Sequence, residues 1–227
     1  MTRRRFGPVA APRLRCDAAS DNSRSVVTSP RISHRRLILA SGSPRRRSLL
    51  AAARLDFEVA ESGVEENRAP DEGATDFARR MALEKALAVS VRTPDALTLG
   101  ADTVVECAGE ILGKPLGSDD ARRMLRMLSG RTHRVVTAFA LAAGGEPIES
   151  RVVTSLVRFR PLSESEIEAY LLTGEPFDKA GSYGIQGDGA GFIAEVEGAR
   201  DNVMGLPVHE VLEALARSGV RASQAVK

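Results

Sequence analysis

The chain is predicted to fold as an α/β domain around a mixed, largely antiparallel twisted sheet flanked by helices. Three observations carry that expectation. Apolar runs of strand length are joined by glycine turns, as at Gly144-Gly145, which makes neighbours antiparallel. Helices with recognisable start signals stand between those runs. No segment repeats at the periods of solenoids or propellers.

Each element has its own local cause. Leu37 to Ala40 is a short buried strand, and the loop Ser41-Gly42-Ser43 leads into a helix over about 44–54, with Ser43 as cap and Pro44 at its first position. Residues 57–60 form another strand. "TDFARRMALEKALAVS" is helical, with Thr75 as the expected cap. "LTLGADTVVECAGEILGKP" is a strand, a turn at Ala108-Gly109 and a short return strand. "SDDARRMLRMLSG" is a helix capped by Ser118, favoured by Asp119 and Asp120, and stopped by Gly130. Residues 132–162 form a long hairpin whose second strand alternates with period two. Ser163 and Glu166 make a capping box for a helix ending near Gly174, and Pro207 opens a last helix through about Arg217.

Charge divides the chain. The whole carries a formal +2, but residues 1–36 hold nine arginines against Asp17 and Asp21, so everything after Arg36 sums to −5. A mildly acidic body argues against a nucleic-acid-binding face. Residues 1–36 lack any sustained period and read as a disordered, arginine-rich extension: a transit peptide, an interaction arm or an inert addition. The folded domain is expected over 37–217, with a flexible tail over 218–227. No apolar run reaches 18 residues, so no membrane span is expected. Cys16 and Cys107 make neither a metal spacing nor a disulfide framework, which suits a reducing, cytoplasmic setting.

Two oddities point to a polyanion. Arg45, Arg46 and Arg47 occupy a first helical turn, where the macrodipole disfavours cations. They become favourable once several negative charges sit at that helix end, where backbone N–H groups already face an anion. Otherwise they are solvent-facing arginines on a surface turn. Second, only four of 32 basic residues are lysine. Lys227 ends the chain; Lys85, Lys114 and Lys179 lie in short distinctive contexts. Such retention suggests sites that need a compact ammonium rather than a planar guanidinium, unless the three are ordinary surface residues.

Phosphate chemistry raises the question of carboxylates and a divalent ion. Asp102 stands inside an apolar strand, where a charge needs a partner, a metal or access to water. Glu65 and Glu66 offer a second carboxylate or form a solvated acidic turn. His133, at the hairpin start, orients a group or is a satisfied strand-end histidine. Two familiar phosphate loops are excluded. "GEILGKPL" has three residues between its glycines and proline where a Walker loop needs Ser or Thr, and "GIQGDGAG" lacks the G-x-G-x-x-G spacing.

In order, "LILASGSPRR", "GADTVV", "GKP", "LSGRTHRVVTA", "DKAGSYGIQG" and "VMGLP" resemble the Maf family of nucleoside triphosphate pyrophosphatases, over about 36–215. The resemblance implies a two-lobed fold with a central cleft, often in a homodimer. It implies hydrolysis between the α and β phosphates, aided by magnesium, manganese or cobalt. Carried over by position, Asp102 is the proton acceptor and Glu66 a second metal-site carboxylate, with Lys85 in the same centre. Ser41, Arg46, Lys85, Lys114 and Lys179 hold the triphosphate. Arg45, Thr103 and Gln186 match the branch that cleaves dTTP and UTP, whereas the branch acting on 7-methyl-GTP tends to carry Trp, Gln and Glu there. A glutamine amide suits uracil, donating to a ring carbonyl and accepting from N3–H. The implied role is house-cleaning of the nucleotide pool, with a possible part in cell-division arrest. The alternatives are a division regulator acting by binding and a house-cleaning enzyme preferring purines such as ITP. One departure is Arg200-Asp201, where the family often shows an aromatic.

Overall fold

The computed structural model describes residues 35–220; the N-terminal extension, up to residue 34, and residues 221–227 lie outside them. In chain order the elements are β1 (Leu37–Leu39), α1 (Pro44–Ala52), β2 (Glu58–Val59), α2 (Ala74–Ser90), β3 (Leu97–Cys107), β4 (Glu110–Leu112) and α3 (Ser118–Leu128). There follow β5 (Thr132–Ala143), β6 (Glu146–Phe159), α4 (Glu164–Leu172), three short 3-10 turns between Glu175 and Phe192, β7 (Ile193–Glu197), α5 (Arg200–Met204) and α6 (Val208–Arg217). Seven strands form one sheet in the order β2-β1-β3-β5-β6-β7, with β4 paired to β3. Among the described residues only β1 pairs in parallel, with β2 and β3, and the other pairings are antiparallel. The expected mixed, largely antiparallel sheet is therefore the one observed.

Long strands carry the chain through two apolar bodies. Leu97, Leu99 and Ala101 of β3 pack with Phe139 and Leu141 of β5 beneath α1 and α6. Further along the same strands, Val105, Cys107 and Val135 pack with Phe159 and the helices α3 and α4. Thr103 falls between the two on that face, and Asp102 beside it points to the opposite face, toward α2. The cleft described below opens there.

On the other face, α2 lies unusually close to the sheet. Ala74, Ala78, Ala82 and Ala86 recur every fourth residue and meet Ala138, Ala140 and Ala142 of β5, so small side chains face small side chains. Gly100 makes the approach possible: a Cβ there would stand 2.2 Å from the Ala82 carbonyl oxygen and 2.6 Å from the Ala86 nitrogen. Gly100→Ala must lift α2 away from β3, and overpacking of this kind costs about 1–3 kcal/mol. Chemical denaturation should register that loss. Because Lys85 of α2 meets Asp102 of β3 across this contact, turnover should fall with it.

The β5–β6 hairpin turns on Gly144 and Gly145, both with positive φ (59° and 82°), the backbone a tight two-residue hairpin requires. The capping box of α4 forms as the sequence predicts. Two other caps differ. Helix α2 starts from Gly73 and α3 from Gly117, neither with a side-chain cap, so Thr75 and Ser118 lie within the helices they were expected to cap. At α3 the Asp120 carboxylate instead accepts from the Leu116 N–H at 3.1 Å. Helix α1 ends at Ala52, two residues early. Order also runs past the expected boundary at 218, because Val220 is buried against Leu215 and its neighbours. Among the described residues no helix is long and apolar enough to cross a membrane.

His133 lies within the second apolar body. Its Nε2 is 2.7 Å from the Tyr183 hydroxyl, and its ring meets Phe159 and Tyr183 edge-on. Its Nδ1 has no partner among the described residues. Burial holds the imidazole down at about 4. Unfolding returns it to its ordinary value near 6.5. Its contribution to stability is therefore complete above that value and is lost as the pH falls through 4. Between about pH 7 and pH 4.5 the loss should be on the order of 2 kcal/mol. Denaturation of the wild type and His133→Asn at both pH values checks this: the variant should show a flatter pH dependence.

Candidate active site

The cleft encloses about 850 Å³. One wall is the start of α1 with Gly205; the floor is the middle of β3; the other wall is Lys114 and the stretch from Glu175 to Gly187.

At the floor, Lys85 bridges two carboxylates. Its Nζ donates to Asp102 Oδ1 and to Glu66 Oε1, both at 2.6 Å. Lys85 and Asp102 are buried, with side chains 7% and 8% exposed, whereas the Glu66 side chain is 46% exposed. The two acids respond differently to that setting. Burial is the largest influence on Asp102 and raises its carboxyl above the ordinary value, while Lys85 and Arg46 pull it back only in part. Partial burial also works against the charge of Glu66, but the Lys85 hydrogen bond and charge, with Lys114 and Arg46 beyond, outweigh it and leave the group lowered. The two carboxyls are thus pushed in opposite directions, Asp102 upward by burial and Glu66 downward by its cationic neighbours.

The three arginines that stood at the wrong helix end have three different fates. Arg46 turns inward: its Nε donates to the Gly205 carbonyl (2.8 Å), Nη1 to Ser41 Oγ (3.2 Å) and Nη2 to Thr103 Oγ1 (3.1 Å). Burial lowers its pKa, offset by Asp102 and Glu66, and a guanidinium keeps its charge in such a place. Arg45 crosses the cleft to Asp178, with Nη1 to Oδ2 at 3.0 Å. Arg47 faces solvent. Ser43 caps α1 as expected, its hydroxyl 3.5 Å from the Arg46 N–H.

The sequence-predicted residues thus converge, though not all on the cleft surface. Arg45, Arg46, Glu66, Asp102, Thr103, Lys114, Lys179 and Gln186 line it. Lys85 lies behind the two carboxylates, and Ser41 behind Arg46. The Thr103 hydroxyl, expected to help read the base, instead accepts from Arg46 Nη2 and lies 3.0 Å from the Thr137 hydroxyl. Lys179 donates to Asp178 Oδ1 and to the Glu175 carbonyl, both at 2.6 Å.

Several contributors escaped the sequence. Asp178 holds Arg45 and Lys179 together from opposite sides. Gly205, with φ 116°, ends α5 in a left-handed turn that aims its carbonyl at Arg46. Asn202 fixes that turn: its Nδ2 donates to the Val135 carbonyl and to Ser155 Oγ, and its own carbonyl accepts from Thr137. The sequence signals for this corner are the "VMGLP" match and the Arg200-Asp201 departure beside it.

A cleft walled by cations, with a buried acid–base pair at its floor, defines a polyanion-processing α/β protein. The family model described as Maf-like protein matches residues 36–218, and the chain belongs to the Maf family. Similar relatives include a dTTP/UTP pyrophosphatase of Geobacter sulfurreducens, 47% identical over 185 residues that cover 81% of this chain and 97% of that one. Another, of Vibrio parahaemolyticus, carries the same name and is 49% identical over 175 residues, covering 77% and 92%. Among solved structures, a HAM1 protein from Coxiella burnetii aligns over 55% of this chain and 73% of that one, with TM-score 0.38 and 16% identity.

Proposed function

We propose that the chain hydrolyses dTTP and UTP to the nucleoside monophosphate and pyrophosphate. The observation that carries this reading is the Glu66–Lys85–Asp102 bridge, placed on the floor of a cleft whose walls hold Arg45, Arg46, Lys114 and Lys179. The names of relatives near 47% identity supply the base.

Asp102 accepts a proton from water as the water oxygen bonds to phosphorus at the α–β anhydride and the bridging oxygen leaves. Asp102 becomes neutral in that step, which its buried position favours. Glu66 stays ionised and holds the Lys85 ammonium in place through its 2.6 Å hydrogen bond. Lys114, Lys179 and Arg46 are placed to offset the charge that spreads over the phosphate oxygens, where preorganised cations act most strongly. Gln186, exposed on the rim of the cleft, is the base reader.

A divalent ion fits this donor set. Lys85 uses one oxygen of Glu66 and one of Asp102, and the second oxygen of each is not taken by the ammonium. Among the described residues no group of three His, Cys, Asp or Glu is placed to hold a metal. Glu66 and Asp102 would hold a hard cation such as magnesium, which binds through one or two carboxylates together with substrate phosphates. Bound there, it would supply charge neutralisation at the phosphates.

A nucleotide panel tests the reading by pyrophosphate release. UTP and dTTP should run at least about tenfold ahead of ATP, GTP and ITP, the scale of one well-placed hydrogen-bond pair. Equal rates across the panel would remove the base assignment. A lead for ITP would favour the purine alternative.

A further inference from the structure

Gln186 is exposed on a bend, residues 185–187, outside any strand, with Gly184 and Asp188 at its two ends. A side chain on such a bend reads a base only if something fixes the backbone beneath it. Glutamine's amide presents a donor and an acceptor of similar size, so a loose bend would let it match either of two opposite patterns. Uracil and thymine offer a carbonyl and an N3–H; cytosine offers an amino group and a bare N3.

The fixing group is a carboxylate and hydroxyl pair around which the bend is wrapped. Glu175 Oε1 accepts from the Tyr170 hydroxyl at 3.0 Å, and Oε2 accepts from the Asp188 N–H at 3.0 Å. The same Tyr170 oxygen accepts from the Gly184 N–H at 3.2 Å. Both ends of the bend therefore hang on one pair of side chains. Three glycines leave the room for it. A Cβ at Gly184 would stand 2.7 Å from Glu175 Oε1, at Gly187 2.6 Å from Oε2, and at Gly189 2.8 Å from the Tyr170 hydroxyl. Tyr170 is anchored in turn: it is 3% exposed and its ring meets Phe192 edge-on at 4.9 Å. Glu175 also touches the phosphate side of the cleft, because its carbonyl accepts from Lys179 Nζ at 2.6 Å. Glu175 lines the cleft, yet both its carboxylate oxygens are engaged within the protein.

We propose that Glu175, held by Tyr170, is a positioning residue that fixes the bend carrying Gln186 and so sets discrimination between uracil or thymine and cytosine nucleotides. This rests on the base-reading role given to Gln186 above.

The test measures kcat/KM for UTP and CTP in the wild type, Glu175→Gln and Tyr170→Phe, with thermal melting of each. Glu175→Gln sets an amide N–H against either the Asp188 N–H or the Tyr170 hydroxyl. Tyr170→Phe keeps the ring against Phe192 and removes one leg of the clamp. The UTP-to-CTP ratio should fall about tenfold or more in Glu175→Gln and about threefold in Tyr170→Phe, mainly through a raised KM for UTP. A ratio within twofold of wild type in both variants overturns the proposal, as does a loss of kcat shared equally by the two nucleotides. If Glu175→Gln does not fold, the Tyr170→Phe ratio decides. A wild type with no preference for UTP over CTP overturns the base-reading role of Gln186 and this proposal with it. A wild-type preference that both variants retain overturns this proposal alone.

Discussion

Asp102→Asn is expected to lower kcat for UTP by about 10²–10⁴-fold, the range that a positioned general base supplies. Asparagine keeps the shape of the side chain, and its carbonyl oxygen still accepts from Lys85, so the local packing survives. What it loses is the capacity to take a proton from water. Burial raises the Asp102 carboxyl above its ordinary value, whereas Lys85 holds the Glu66 carboxyl below its own. Steady-state kinetics with a circular dichroism control measures the effect. A rate within tenfold of wild type would require the proton to go elsewhere.

The second large effect concerns Lys85, which the structure places between Glu66 and Asp102 rather than on the open wall. Lys85→Met leaves Asp102 buried without its nearest cation. Removing one member of a buried ion pair costs about 3–5 kcal/mol, because the remaining charge loses its compensation. Turnover at pH 7 should fall by about 10²-fold, since an acid deprived of that cation is held more firmly in its protonated form. The stability effect separates from the kinetic one in a cycle. Adding Asp102→Leu to Lys85→Met removes the stranded charge, so the double variant should be more stable than Lys85→Met alone. Glu66 tolerates the change because half of its side chain is exposed. Additive losses in denaturant midpoints would show that Lys85 and Asp102 are not coupled.

Much of this site was legible in the chain because its chemistry is local in type, if not in position. A charge inside an apolar strand singled out Asp102. The scarcity of lysine singled out Lys85, Lys114 and Lys179, of which two line the cleft and the third bridges the carboxylates. The serine–proline start of α1, the capping box of α4 and the Gly144-Gly145 hairpin each follow from interactions within a few residues. What escaped depends on distance. Arg46 finds Gly205, and Arg45 finds Asp178, across more than a hundred residues, and no periodicity announces such partners. Strand β7 and helix α5 are short; β7 is mostly exposed, so neither carries a strong apolar pattern. The misplaced caps have a simpler cause. A glycine immediately before each helix takes the non-helical position, and the expected hydroxyl falls inside the first turn.

The most direct measurement is the identity of the products from UTP with a magnesium salt, read by phosphorus NMR. The arrangement of Asp102 and the surrounding cations about an α–β anhydride predicts UMP and pyrophosphate in equal amounts, with neither formed by Asp102→Asn at a comparable rate. UDP with orthophosphate, or no turnover of UTP by the folded wild type, would contradict it.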